Sequence, residues 1–167
     1  MEPIEDMAVM NHKSLMKEAY QRANIPTARW CLIHSLQEAL DFADEVCYPV
    51  IVKPDKGVGA AHTYRLNNEN DMIDFWENRD QGIQFIEEEL VPGHVETFDG
   101  ITNGQKEILF CASQVLSGSL MDAVNDNKEV ISYCQSPDQD LYEAGKAILQ
   151  EFDTRHKFFH FEFFRLD

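Results

Sequence analysis

The stretch Tyr48-Pro-Val-Ile-Val-Lys53-Pro-Asp-Lys-Gly57-Val-Gly59 decides the fold. It opens as a short, continuous apolar run, the pattern of a strand covered on both faces. The run ends on Lys53, whose ammonium group is costly to bury unless an anion meets it. Pro54 to Ala60 reads as a loop in which Gly57 and Gly59 let backbone N–H groups turn toward a ligand with little steric hindrance. His62 to Leu66 resumes as a strand. Strand, glycine loop, strand is the order of a flexible lid over phosphates. It is not a Walker A loop, because no G-K-[ST] is present and a strand, not a helix, follows. The plainer alternative is a β-hairpin turn with a lysine at its rim.

Upstream, Met10 to Ala23 predicts a helix with the apolar stripe Leu15, Met16, Ala19 and Tyr20, ended by Asn24 and Ile25-Pro26. Arg29 to Ile33 predicts a short strand. Ser35, with Glu38 three residues on, predicts a capping box and a helix to about Glu45. Downstream, Asn70 to Arg79 suits a helix carrying Met72, Ile73 and Trp76 inward, and Ile83 to Leu90 a strand stopped by Pro92-Gly93. Val95 to Thr102 and Lys106 to Ala112 alternate around Asn103-Gly104, a strong hairpin signal. Val130 to Cys134 reads as a strand. Ser136 predicts the cap of a helix with Pro137 at its first position and a buried stripe of Leu141, Ala144, Ile148 and Phe152. Lys157 to Leu166 is a final aromatic strand.

Two further groups carry chemistry. In Phe158-Phe-His-Phe-Glu-Phe-Phe164 both faces carry large apolar groups, and Glu162 shares a face with His160, Phe158 and Phe164. A carboxylate so placed is either strongly raised in pKa or paired with a cation: Mg²⁺, or a basic residue such as Arg65 or Lys146. His160 by itself reads as a satisfied core histidine. Glu87-Glu88-Glu89 is ordinarily a solvated strand edge, yet it runs into Leu90-Val91-Pro-Gly, a candidate hinge whose backbone groups suit an adenine edge.

Composition narrows the partners. The chain of 167 residues is 44% hydrophobic and carries 30 acidic against 14 basic residues, net −16. Such a surface repels phosphate backbones, which argues against nucleic acid and anionic membranes. No apolar run approaches the roughly eighteen residues of a membrane helix. The acidic start Met1-Glu-Pro-Ile-Glu-Asp lacks the basic region of a signal peptide, so the expectation is cytoplasmic. Cys31, Cys47, Cys111 and Cys134 are scattered, against a disulfide framework or zinc knuckle. No G-x-S-x-G, H-E-x-x-H or EF-hand loop is present.

In order along the chain, these segments resemble the ATP-grasp superfamily. Asn11-His-Lys13 and its helix look like the opening segment, Tyr48 to Gly59 like the strand lysine and mobile glycine loop, Phe85 to Gly93 like the adenine hinge, and His160-Phe-Glu162-Phe-Phe-Arg like the strand bearing the first magnesium-binding glutamate. His94-Val-Glu96 is similar to a biotin carboxylase segment, and Thr97-Phe-Asp-Gly100 to amino-acid ligases. The resemblance implies an α+β fold of two lobes, each with a mainly antiparallel sheet and packed helices. It divides the chain into opening helices (1–48), a small lid lobe (49–91) and a larger lobe (92–167). It implies ATP and Mg²⁺ as cofactors. Lys53 holds the α/β-phosphates with help from Lys13 and the loop of Gly57 and Gly59. Backbone groups of Glu89 and Val91 read adenine, Glu88 or Glu96 reaches ribose, and Glu162 holds Mg²⁺.

The family's separate N-terminal domain and the second metal glutamate, asparagine and catalytic arginine have no counterpart here. The expectation is therefore an excised or partial ADP-forming ligase acting on a small-molecule carboxylate through an acyl phosphate, inactive alone, with its catalytic residues unassigned. A homo-oligomer is compatible. The alternatives are a nucleotide-binding module without catalysis, a biotin carboxylase-like carboxylation, and an unrelated α+β domain in which Lys53 and Glu162 are structural.

Overall fold

The computed structural model describes residues 9–57, 62–116, 129 and 131–166. In chain order the elements are α1 (Lys13–Arg22), β1 (Trp30–Ile33), α2 (Leu36–Val46), β2 (Val50–Pro54), β3 (Tyr64–Leu66), α3 (Glu69–Asn78), β4 (Phe85–Glu89), β5 (His94–Thr102), β6 (Ile108–Leu116), β7 (Ser132–Gln135), α4 (Gln139–Glu151) and β8 (Phe158–Arg165). They form two compact units. One is the chain up to Glu18 with Thr27–Val91, the other Ala19–Pro26 with Pro92–Asp167.

The first unit holds a sheet ordered β1-β4-β2-β3, antiparallel throughout. Ala39 and Ala43 of α2 and Met72 and Phe75 of α3 pack with Val50, Val52, Leu66 and Phe85 in one cluster. Phe75, absent from the expected inward set, stands edge-on to Phe85, ring centroids 5.1 Å apart. Ser35 caps α2 by accepting the Glu38 amide at 3.2 Å. The Glu38 carboxylate reaches back one residue further than a capping box requires, to the His34 amide at 2.8 Å.

The second unit holds an antiparallel sheet ordered β7-β6-β5-β8. β5 and β6 form the expected hairpin, but the connection is a five-residue loop, Asn103 to Glu107, closed by Asn103 N–H donating to the Glu107 carbonyl at 3.0 Å. Lys106, not Gly104, takes the left-handed conformation, at φ 62. Gly104 serves packing instead: a Cβ there would meet His156 Nε2 at 2.6 Å. α4 starts later than Ser136 predicts. Asp138 is its N-cap and makes no side-chain cap bond, its carboxylate lying 3.6 Å from Arg165 Nη2. α4 lies against β5 at Gly145, where an added Cβ would stand 2.1 Å from Phe98 Cδ1.

β8 corrects one expectation. Its two faces are unlike: Phe159, Phe161 and Phe163 pack with Phe98 and α4, while Phe158 (85% exposed) and Phe164 (56%) point outward with His160 and Glu162. Glu162 is thus half-exposed and His160 is not a core residue. Among the described residues no helix is long and apolar enough to cross a membrane, and the four cysteines are free thiols.

Candidate functional site

In the first unit, β2 and β4 place Lys53 and Glu88 diagonally on one face, because Lys53 pairs with Ile86 and Ile51 with Glu88. Lys53 Nζ donates to Glu88 Oε2 at 2.9 Å, and Lys17 Nζ lies 3.4 Å from Glu88 Oε1. One buried carboxylate therefore serves two ammonium groups. Lys17 also donates to the Ala28 carbonyl at 3.3 Å. Lys13, the first residue of α1, donates to the Pro54 and Gly57 carbonyls at 2.8 and 3.1 Å.

Burial first, and then the charge of Lys53, hold the Lys13 ammonium below the usual lysine range. Burial likewise lowers Lys17, with Glu88 opposing. A nearby anion would relieve both. Three lysines gather here in a chain of net charge −16, so the cluster is a local arrangement against the overall field.

The glycine turn is fastened to the start of α1. Asp55 is buried; its Oδ1 accepts the Ser14 amide at 2.8 Å, and its Oδ2 meets His12 Nδ1 at 2.9 Å. Burial alone would raise the Asp55 carboxyl, but the Ser14 and His12 hydrogen bonds prevail and lower it. The Lys13 amide donates to the Asp55 carbonyl at 2.8 Å and the Gly57 amide to the Asn11 carbonyl at 3.0 Å. Gly57 has φ 121, a conformation that side-chain-bearing residues rarely adopt. Gly59 lies outside the described residues.

The Glu87–Glu89 run is not a solvated edge. Glu87 is fully buried and Glu88 nearly so. The Glu89 carboxylate clasps the Arg29 amide and Nε, both at 2.8 Å, and these bonds hold it below the usual carboxylate range despite partial burial. The Glu89 amide is already spent on the Arg29 carbonyl, at 3.0 Å. Val91 closes the unit.

In the second unit, Glu96 is buried. Its Oε1 accepts Ser113 Oγ–H at 2.6 Å and Gln135 Nε2–H at 3.2 Å, and its Oε2 lies 3.3 Å from Arg165 Nε. Glu162 stands on the outer face opposite Thr97. Glu162 has a charge partner in His160, whose Nε2 is 3.6 Å from Glu162 Oε1. His160 Nδ1 also meets Asp99 Oδ1 at 2.6 Å. The hydrogen bond to Glu162, then Asp99, pushes His160 up to about 9 against the effect of burial. Among the described residues no three His, Cys, Asp or Glu side chains converge as metal ligands.

The structure brings Lys53, Lys13, Gly57 and Glu88, all expected from the sequence, together with Lys17 and Asp55, which the sequence did not single out. Lys17 had a legible signal: it follows Lys13 by four residues, one turn along the same helix face.

Residues 12–91 match the family described as carbamoyl-phosphate synthase L chain, ATP binding domain. D-alanine–D-alanine ligase B of Clostridium perfringens is 28% identical over 86 residues, covering 50% of this chain and 27% of that ligase. Biotin carboxylase 2, chloroplastic, of Populus trichocarpa is 36% identical over 69 residues, covering 40% of this chain and 13% of that protein. The carboxyaminoimidazole ribonucleotide synthase of Aspergillus clavatus, solved in complex with ATP, has a TM-score of 0.73 at 15% identity, over 96% of this chain and 42% of that one. At that identity the structural likeness speaks to the fold alone. The chain spans about a quarter of the length of the first relative.

Proposed function

The chain belongs to the ATP-grasp superfamily, and we propose that it is the nucleotide-binding region of an ATP-dependent, ADP-forming ligase. The observation that carries this reading is the lysine cluster beside the Gly57 turn: Lys53 and Lys17 share the buried Glu88, and Lys13 donates to the Pro54 and Gly57 carbonyls. Nucleotide phosphates are the anions that such a cluster suits.

In this reading Lys53 and Lys13 take the phosphates, beside the turn at Gly57. Backbone groups of Glu89 and Val91 meet adenine. With the Glu89 amide engaged by Arg29, its carbonyl and the Val91 amide are the groups to offer. Ribose recognition by Glu88 or Glu96 requires exchange of a present partner, since both carboxylates are engaged. Glu162 holds Mg²⁺. A half-exposed carboxylate fits that ion, which commonly takes one or two carboxylates and completes its shell with phosphates and water. Magnesium would neutralise phosphate charge there.

For the whole protein, the reading is transfer of the γ-phosphoryl group of ATP to an oxygen of a small carboxylate. ADP leaves, and an amine then displaces phosphate from the acyl phosphate. Two matched proteins, the D-alanine–D-alanine ligase and a phosphoribosylamine–glycine ligase of Clostridium acetobutylicum, support this choice.

Calorimetric titration of the chain with Mg·ATP, beside Lys53→Ala, tests the nucleotide site. Loss of one charge-assisted bond predicts at least about 10-fold weaker binding. Equal affinity in both chains, or none in either, would refute the assignment.

A further inference from the structure

On the outer face of the second unit, Asp99, His160 and Glu162 stand in line. Asp99 is fixed first: its Oδ2 accepts a hydrogen bond from the Thr97 hydroxyl, and Thr97 Oγ1 in turn accepts the Gln114 amide at 3.0 Å. His160 is fixed next, with Nδ1 2.6 Å from Asp99 Oδ1. A contact that short to a carboxylate places the proton on Nδ1, because a lone pair there would face negative charge. The other ring nitrogen, Nε2, faces Glu162 Oε1 at 3.6 Å, and a metal ion binding there displaces the Nε2 proton to solvent.

We propose that His160 Nε2 is a second protein ligand, beside Glu162, for the cation that accompanies the nucleotide, and that this nitrogen biases the site toward Mn²⁺ over Mg²⁺. The inference rests on the reading of Glu162 as a metal ligand. A carboxylate holding the far nitrogen of an imidazole is the arrangement that orients metal-binding histidines and raises their basicity. Donor atoms 3.6 Å apart can share one ion: at about 2.1 Å from each, they subtend roughly 120°. A small side-chain shift brings that angle toward octahedral. Both side chains are about half exposed, so an ion can reach them from solvent. Two protein donors suffice when phosphate oxygens and water fill the remaining positions. Mg²⁺ favours oxygen, whereas imidazole is a better partner for first-row transition ions.

The test is pulsed electron paramagnetic resonance of the chain, ¹⁵N-labelled, with Mn²⁺ and unlabelled ADP. A directly coordinated imidazole gives a ¹⁵N coupling, expected in the parent chain and lost in His160→Ala. ADP titrations in Mn²⁺ and in Mg²⁺ should show the Mn²⁺ preference shrinking in His160→Ala while affinity without metal is unchanged. Asp99→Asn, which keeps the imidazole but loosens it, should bind Mn²⁺ about 10-fold more weakly. Mn²⁺ held through Glu162, shown by its loss in Glu162→Gln, but without ¹⁵N coupling would overturn the histidine ligand and leave the nucleotide reading standing. Mn²⁺·ADP binding indifferent to Glu162→Gln would overturn the histidine ligand together with the reading of Glu162 as a metal ligand, while the nucleotide site itself would stand.

Discussion

Replacing Glu87 by glutamine should flatten the pH dependence of stability in the first unit. Glu87 stands opposite Cys31 and Val52, on the face that α2 and α3 cover. It is 0% exposed, and among the described residues neither of its oxygens has a hydrogen-bond partner, nor does the nearby Tyr48 hydroxyl. The fields reaching this region come from Glu38, Glu45, Asp44, Glu69 and Asp71, all acidic. Burial pushes the Glu87 carboxyl up to about 8, and burial with help from Glu87 pushes the Cys31 thiol up to about 12.

The native state therefore holds a proton that the unfolded chain releases near 4.5. Below that pH both states are protonated and nothing is lost. Between 4.5 and about 8 the native state binds more protons, so stability falls as pH rises, and above 8 it levels off. At about 1.4 kcal/mol per pH unit the full span has a ceiling of roughly 5 kcal/mol, and local water entry reduces it to about 3. Glu87→Gln keeps the shape and cannot ionise. Urea titrations at pH 5 to 9 can follow Trp30 and Trp76, the two tryptophans of the chain, both in the first unit. The variant should match the parent within about 1 kcal/mol at pH 5 and exceed it by about 3 at pH 8.5. Subtracting the two curves cancels every other titrating group. Parallel curves would refute the buried, unpaired carboxyl.

Asp55→Ala removes the acceptor of the Ser14 amide at the start of α1 and should cost about 1–2 kcal/mol by the same fluorescence assay; no loss would mean that the His12 contact and the cap contribute nothing. Gly145→Ala gains about 1 kcal/mol of helix propensity, but its Cβ would stand 2.1 Å from Phe98 Cδ1. Overpacking of that kind costs about 1–3 kcal/mol, so circular dichroism should show a lowered melting temperature, and a raised one would refute the close approach.

The fold was legible wherever one short pattern governs. Val50 to Lys53, the Ser35 cap and the alternation on either side of Asn103-Gly104 all fell where local rules put them. Misreadings came where distant residues decide. Gly104 is a glycine because His156 packs against it, so the two-residue turn that Asn-Gly suggests gives way to a longer loop. Ser136 offers a cap, yet α4 begins at Gln139, where Asp138 can approach Arg165 from the end of the chain. Eight residues of aromatic β8 do not say which face is covered, and only the packing of Phe98 and α4 tells Phe159 from Phe158.

The three consecutive acids of β4 show why site residues are harder to read than strands. Alternation sends Glu88 to the face of Lys53 and Glu87 to the opposite one. Glu88 meets two ammonium groups, so its charge is more than offset and it holds the two lysines together. Glu87 meets only the helix-covered core, and it is there that a neutral acid costs least. Glu89, past the end of that cover, meets Arg29 at the surface. The residue type is the same at all three positions; the environment assigns one to pairing lysines, one to a pH-dependent cost and one to fastening β1. In an acidic chain the informative feature is therefore not where carboxylates occur but where lysines are drawn together around one of them, as Lys17 and Lys53 are around Glu88.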